Sequence, residues 1–306
     1  MTHKCGRIGV LAGGPSNERE ISLCSGRAVH DALLEEGLDS VFIDVKNDID
    51  EIIEKSRIDV AFIALHGRFG EDGTVQRMLE DAGIPYTGSG VEASRAALDK
   101  AASKDIFIKN LIPVPRHIVL IRGRSNLYDY DKLGMPIVVK PHLEGSSIGL
   151  SIVRDKDSLQ GAIDKAFEYG DKVILEEYID GRELTVGILN DEALPVIEIV
   201  PRNKVYDYDA KYKDSDTKYL VPAPIPEDIS NEARRLGVLA HRVLGCRSFS
   251  RVDMMMALSG DIFVLEVNTV PGMTERSLLP KAARATGLRF SSLCVKILED
   301  AVRKVE

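Results

Sequence analysis

No two of the four cysteines, Cys5, Cys24, Cys246 and Cys294, form a C-x-x-C pair, so neither a zinc ribbon nor a redox dithiol is suggested. Reduced and mostly buried thiols of a cytosolic protein are the expectation. Long apolar runs are missing too. The run over residues 8–12 ends in glycines and is too short for a signal peptide or a membrane span. A cytoplasmic protein with no membrane partner is therefore expected. Positive charge is not in excess: the formal net charge is −8 and the pI about 5.4, which argues against a nucleic-acid partner. The chain has no G-x-x-x-x-G-K-[ST], no G-x-G-x-x-G spacing and, among six histidines, no H-E-x-x-H. These absences argue against a Walker A site, a dinucleotide fingerprint and a zincin. No internal repeat is visible.

What is present reads as an α/β enzyme. At 306 residues the chain is long enough for two or three domains, and 44% hydrophobic with 29% charged residues is ordinary for a soluble globular protein. The first third alternates strand and helix patterns. Strands are expected over 7–12, 40–45, 59–66 and 83–87, with a helix to about residue 36 opened by a capping box at Asn17 and Glu20. That alternation predicts a parallel sheet, with a ligand at the carboxyl ends of its strands, where Gly13, Gly14 and His66 lie. After about residue 91 the pattern changes. A helix is expected over 94–110, strands over 117–121, 136–140, 149–153 and 172–178, and a helix over 157–169. A third region starts near Gly181. It holds strands over 183–189 and 192–199 and helices over 229–244 and 291–305. Residues 202–224 have no clear period but carry Tyr206, Tyr208, Tyr212 and Tyr219 among lysines, which reads as a lid.

The most informative stretch runs from Arg251 to Asn268. Placing a hairpin turn at Ser259-Gly260 sets Asp253 opposite Glu266 and Arg251 opposite Asn268, all on one face. The other face then carries Val252, Met254, Met256, Phe263, Leu265 and Val267 as a core set. Two facing carboxylates at roughly 4 Å repel by about 1 kcal/mol in water and about 4 kcal/mol at an effective dielectric near 20. Against a total stability of ~5–15 kcal/mol, that needs compensation. A hard divalent cation, with Asn268 as a third oxygen donor, supplies it; a solvated edge or an arginine partner such as Arg251 is the alternative.

Other groups are weaker one by one. The small-residue loop from Lys140 to Gly149 suits a phosphate cradle with Lys140 at its base, or an ordinary hairpin with an exposed lysine. Lys100 in a helix pattern and Glu176, Glu177 and Glu183 at strand ends read as surface charge when taken alone, although the carboxylates could accept from a base amine or ribose hydroxyls. Ser277 caps a following helix or, with free N–H groups nearby, holds an anion. Metal, phosphate loop and anion site together suggest nucleotide-driven transfer at a carboxylate.

In this order, Gly13-Gly14-Pro-Ser-Asn-Glu-Arg-Glu20, His66-Gly-Arg-Phe-Gly-Glu-Asp-Gly73, Tyr86-Thr-Gly-Ser-Gly90, Asp99-Lys100, Gly145-Ser-Ser-Ile-Gly149, Tyr206-Asp-Tyr-Asp-Ala-Lys-Tyr212, Arg251-Val-Asp253 and Glu266-Val-Asn-Thr-Val-Pro-Gly-Met-Thr274 resemble the D-alanine–D-alanine ligases of the ATP-grasp superfamily. The resemblance spans nearly the whole chain. It implies a three-domain ATP-grasp fold of mixed α/β class, with a Rossmann-like N-terminal substrate domain over 1–93, a central domain over 94–180 and a C-terminal domain over 181–306 that carries the lid over 202–224. It also implies ATP as co-substrate with Lys100, Lys140 and Lys211 on its phosphates, Glu176 on the adenine and Glu183 on the ribose. Asp253, Glu266 and Asn268 would bind two Mg2+ ions, with Mn2+ as a substitute. Glu18 would hold the ammonium of the first of two D-alanines with His66 nearby. Arg251 and the Gly272 amide would stabilise a tetrahedral oxyanion, and Ser277 would bind the second carboxylate. Ser146 and Tyr212 would link to Glu18 and close the lid, and tyrosine at position 212 would go with dipeptide rather than depsipeptide formation. A cytoplasmic homodimer serving peptidoglycan precursor synthesis is implied as well. The rival expectations are an ATP-grasp ligase for another amino acid or peptide, a nicotinamide oxidoreductase, and a non-catalytic ATP-binding module.

Overall fold

A computed structural model describes residues 5–46, 56–124, 130–201 and 217–303. Three sheets organise it. The first is parallel, in the order β2-β1-β3, built from β1 (Ile8–Gly13), β2 (Ser40–Val45) and β3 (Val60–Ile63). β1 is buried along its whole length, as expected of a central parallel strand covered on both faces. The strand expected over 83–87 is reduced to one parallel bridge between Ala61 and Tyr86. Helix α1 (Arg19–Glu35) packs on β1 through Ser22, Leu23, Ser25, Gly26, Val29, Ala32 and Leu33. Its N-cap is Glu18, whose side chain makes no cap bond, so the Asn17–Glu20 capping box does not form. Ser16 Oγ instead accepts from Glu18 N at 3.2 Å and donates to His66 O at 2.6 Å, tying the turn to the end of β3. Helix α2 (Thr74–Asp81) follows.

The helix expected over 94–110 is two helices, α3 (Val91–Leu98) and α4 (Lys100–Lys109). Asp99 breaks it: its backbone is extended, and its carboxylate accepts from Ala101 N and Ala102 N as the N-cap of α4. A second, antiparallel sheet has the order β4-β7-β5-β6, from β4 (His117–Ile121), β5 (Ile137–Pro141), β6 (Ser151–Val153) and β7 (Lys172–Glu177). Helix α5 (Leu159–Phe167) covers one face, and the two share a core of their own around Val139, Val153, Ile163, Val173 and Leu175.

The third sheet is antiparallel and runs β11-β10-β8-β12-β13, with the short β9 (Glu192–Ala193) beside β8. Its strands are β8 (Gly181–Leu189), β10 (Ile197–Val200), β11 (Lys218–Leu220), β12 (Phe249–Ala257) and β13 (Ile262–Asn268). The single strand expected over 192–199 is thus divided between β9 and β10. Of the expected lid, 217–224 is described, and it includes β11 paired with β10. Lys211 and Tyr212 lie outside the described residues. Helix α6 (Glu227–Val243) packs under β8, β12 and β13, and α3 and α4 add Ala93, Ala97 and Phe107 to the same core. Helices α7 (Leu278–Ala285) and α8 (Phe290–Arg303) join residues of the third sheet to β1, β3 and α1 in one continuous core. The first and third sheets therefore share a base, and the middle sheet stands on a separate core.

Candidate active site

The β12–β13 hairpin supplies the charged wall of the site. Arg251 pairs with Asn268, Val252 with Val267 and Asp253 with Glu266, the expected register. Beyond Asp253 the register shifts, and Met254 pairs with Val264. The turn is longer than placed, with Ala257 N donating to Asp261 O at 2.9 Å, and a bulge at Leu265 restores the count. The bulge corrects the expected core face. Ile262 and Val264 are buried with Val252, Met254, Met256 and Val267, whereas Phe263 and Leu265 are only half-buried and Leu265 faces the cleft.

The facing carboxylates are balanced by side-chain cations, the alternative that the sequence left open. Arg251 donates to both oxygens of Asp253, at 2.8 and 2.7 Å. Asn268 Nδ2 donates to Asp253 Oδ2 at 3.0 Å, and Thr185 Oγ1 on β8 donates to Asp253 Oδ1 at 2.7 Å. Glu266 Oε2 lies 3.2 Å from Lys100 Nζ, which also donates to Glu144 O at 2.8 Å. Lys100 is buried rather than a surface lysine; burial opposes its charge, but Glu266 together with Glu18 and Glu71 outweighs burial and moves its pKa up. Lys140 is buried as well, with Nζ 3.0 Å from Glu176 Oε1, and Lys104 Nζ reaches the same oxygen at 3.0 Å. Burial would raise the Glu176 pKa, yet Lys104 and then Lys140 hold it down to about 2.

Two cavities flank this wall. One, of about 440 Å³, lies between the middle and third sheets and is lined by Lys100, Lys140, Glu176, Glu183, Asp253 and Glu266, with Val138, Ile148, Ile152, Met255 and Leu265 as apolar sides. The other, of about 550 Å³, lies between the first sheet and the 268–278 segment and is lined by Glu18, His66, Ser146, Arg251, Asn268, Gly272 and Ser277. Lys100, Gly145 and Glu266 line both, so the two meet there. Every expected site residue that the structure describes borders one cavity or the other.

The second cavity is tied together across long sequence distances. Ser146 donates to Glu18, from a turn in which Ser146 and Ser147 both have left-handed φ, 49° and 60°. A Cβ on Gly145 would come within 2.9 Å of Glu18 Oε2, so a larger residue there would push the Glu18 carboxylate from its place. His66 Nε2 is 3.1 Å from Ser25 Oγ, and burial lowers its pKa, favouring the neutral ring despite Glu18 nearby. Ser277 occupies the N-cap position of α7, but its hydroxyl does not cap. It accepts from Thr274 N at 3.1 Å, so the first N–H groups of α7 have no side-chain cap.

Three residues of the site were not singled out from sequence. Glu71 accepts from Gly67 N at 2.6 Å and Val270 N at 3.3 Å, joining the loop after β3 to the loop after β13. Burial and the neighbouring Glu18 raise its pKa to about 8. Thr185 and Lys104 are the others. Glu71 stands inside a quoted motif, but nothing local distinguishes it from any loop carboxylate. Thr185 becomes informative only once β8 is known to pair with β12.

Comparison with known proteins agrees with this geometry. Residues 107–299 match the family described as D-ala D-ala ligase C-terminus, and residues 45–89 match D-ala D-ala ligase N-terminus. The D-alanine–D-alanine ligase of Citrifermentans bemidjiense is 49% identical over 301 residues, covering 98% of this chain and 97% of that protein. The chain belongs to the D-alanine–D-alanine ligase family. The family member of Geotalea uraniireducens is 47% identical over 302 residues, covering 99% and 97% of the two chains. A crystal structure of the D-alanine–D-alanine ligase from Bacillus anthracis complexed with ATP superposes with a TM-score of 0.87 at 37% identity, covering 98% of both chains. The expected mixed α/β, ATP-grasp ligase fold is therefore present.

Proposed function

We propose that this ligase joins two D-alanine molecules into D-alanyl-D-alanine at the expense of ATP, which takes the cleft between the middle and third sheets. The carrying observation is that two cavities of different character meet at Lys100, Gly145 and Glu266. One is an apolar slot with lysines at its base; the other is lined by Glu18, Arg251 and Ser277. A carboxylate is a poor electrophile. In the first step the carboxylate of one D-alanine attacks the γ-phosphorus of ATP, giving an acyl phosphate and ADP. In the second, the free amine of the other D-alanine attacks the acyl carbon, and the tetrahedral oxyanion collapses with loss of phosphate.

The residues divide that work. Glu18, oriented by Ser146, would hold the first ammonium, with His66 beside it. Lys100 and Lys140, with Lys211 from the lid, would offset phosphate charge that otherwise repels the attacking carboxylate. Glu176 would accept from the adenine amine, and Glu183 from the ribose. Arg251 and the Gly272 amide would face the oxyanion, and Ser277 with the uncapped start of α7 would take the second carboxylate. Tyr212 would close the lid, keeping water from the acyl phosphate.

Asp253, Glu266 and Asn268 would hold Mg2+. They fit it: the donors are hard oxygens, and the register brings the two carboxylates opposite each other. Among the described residues no group of three or more His, Cys, Asp or Glu could hold a metal alone. Two carboxylates completed by nucleotide phosphates is the arrangement Mg2+ favours. When bound, the ion neutralises charge on the phosphates.

The same reading divides the chain into domains over 1–93, 94–180 and 181–306, supported by the presence of one sheet in each. A cytoplasmic homodimer making a peptidoglycan precursor is part of the same reading; among the described residues no helix is long and apolar enough to cross a membrane. The decisive assay supplies ATP, Mg2+ and D-alanine, follows ADP, and weighs the product. D-alanine-dependent ADP release with a D-alanyl-D-alanine mass is expected. No such release, or release with another amino acid only, would overturn the reading; mainly depsipeptide product with D-lactate near neutral pH would overturn the role given to Tyr212.

A further inference from the structure

The nucleotide cleft ends on a buried cluster of one carboxylate and two ammoniums, of which the proposed function uses only Glu176 and Lys140. Both of these line the cleft, but Lys104 does not. Lys104 stands behind Glu176 with none of its side chain exposed. It lies on α4 one turn beyond Lys100, so the two stems leave the same face of the helix. Lys100 meets Glu266 at one end of the cleft and Lys104 meets Glu176 at the other.

The geometry of the cluster is one of charge rather than direction. Lys104 Nζ and Lys140 Nζ each come within 3.0 Å of the same oxygen, Glu176 Oε1. Yet Lys104 Nζ and Glu176 Oε1 are buried atoms without a well-angled hydrogen bond. Taking an ammonium out of water is costly, and an apolar side chain of the same length would fill that space without the cost. The excess charge has a use once a nucleotide binds. Lys140 is then needed at the phosphates, and without Lys104 the Glu176 carboxylate would be left a lone buried anion that either takes a proton or pulls Lys140 back.

We infer that Lys104 is a positioning residue for nucleotide recognition: it stays with Glu176 and keeps that carboxylate an ionised acceptor for the exocyclic amine of adenine while Lys140 serves the phosphates. The inference rests on the reading that ATP occupies this cleft with its base at Glu176. A purine with a keto oxygen at that position would meet the carboxylate oxygen to oxygen, so the same device selects ATP over GTP. Lys104 cannot touch the base; it acts through Glu176.

The test uses the full chain and steady-state ADP release with ATP or GTP varied at saturating Mg2+ and D-alanine. Lys104→Met is expected to raise the KM for ATP about tenfold or more and to lower the ATP-over-GTP preference by a similar factor, with kcat and the D-alanine KM within about threefold of wild type. Lys104→Arg should recover most of the loss. In the background of Glu176→Gln, Lys104→Met should add little, because the residue it acts through is gone. An unchanged ATP KM and nucleotide preference in Lys104→Met would overturn the inference. So would equal rises in both substrates' KM with a lowered melting temperature, the mark of a packing role, or full additivity with Glu176→Gln. Should Lys104→Met fail to fold, Lys104→Gln carries the same comparison with an uncharged polar end. Failure of the wild type to consume ATP with D-alanine sinks the proposed function itself; wild-type turnover with an indifferent Lys104 variant sinks only this step.

Discussion

At the scale of single residues, the site is a set of buried charges that are tolerable because each has a partner from another element. Asp253 is the clearest case: Arg251 and Thr185 hold it from its own strand and from β8, and Asn268 from β13. Glu176 is the case with a pH signature. Its pKa in the folded chain is about 2, against an ordinary value of 4.5. A carboxylate depressed on folding contributes stability that is complete above its unfolded pKa and is lost as pH falls through the folded one. The window is therefore about pH 4.5 down to about 2, and the contribution is on the order of 3 kcal/mol. Glu176→Gln leaves Lys104 and Lys140 unpaired, so it should be less stable than wild type at neutral pH by urea denaturation. The gap should shrink as pH is lowered through that window; a gap independent of pH would show that Glu176 contributes by packing alone.

At the scale of elements, close approaches decide where functional side chains end up. Helix α1 lies so near β1 that a Cβ on Gly26 would be 2.3 Å from the Cβ of Ala12. Alanine at 26 would gain up to ~1 kcal/mol in helix propensity. The overlap outweighs it, because a Cβ cannot rotate away and overpacking costs about 1–3 kcal/mol. Gly26→Ala is thus expected to lower the melting temperature. It should also raise the KM for D-alanine, since α1 carries Ser25 against His66 and starts at Glu18, while the KM for ATP should stay near wild type. Equal effects on both substrates would remove the argument. The hairpin makes the same point from legible sequence. Its carboxylate half was correct because period-two alternation holds from Arg251 to Asp253 and from Glu266 to Asn268. Its core half was not, because a bulge has no pattern of its own in a run as uniformly apolar as Ile262 to Leu265. Asp99 was hidden in the same way: the apolar period runs through it, and only its extended backbone shows one helix ending and another beginning.

At the scale of the molecule, the middle sheet has a core separate from the one that unites the first sheet with α7, α8 and part of the third. The cavity proposed for the nucleotide lies between the middle sheet and that base. A ligand that bridges two separate cores stabilises both. ATP with Mg2+ at a hundred times its Kd should raise the unfolding free energy by about 2.7 kcal/mol. Thermal denaturation with and without ATP checks this, with GTP at the same concentration expected to shift the transition less. Equal shifts with either nucleotide would contradict base recognition at Glu176.

The amino-acid sequence by itself determined most of the strand and helix order and the pairing of Asp253 with Glu266, because local periodicity and turn residues dictate those over a few neighbours, and its motifs in their order carried the family. Tertiary structure alone decided which cations answer those carboxylates, that Lys104 is buried behind Glu176, and that Glu71 and Thr185 belong to the site. Those facts depend on residues far apart in the chain being packed out of water together, where a charge must find a partner, and no local pattern encodes which partner it finds.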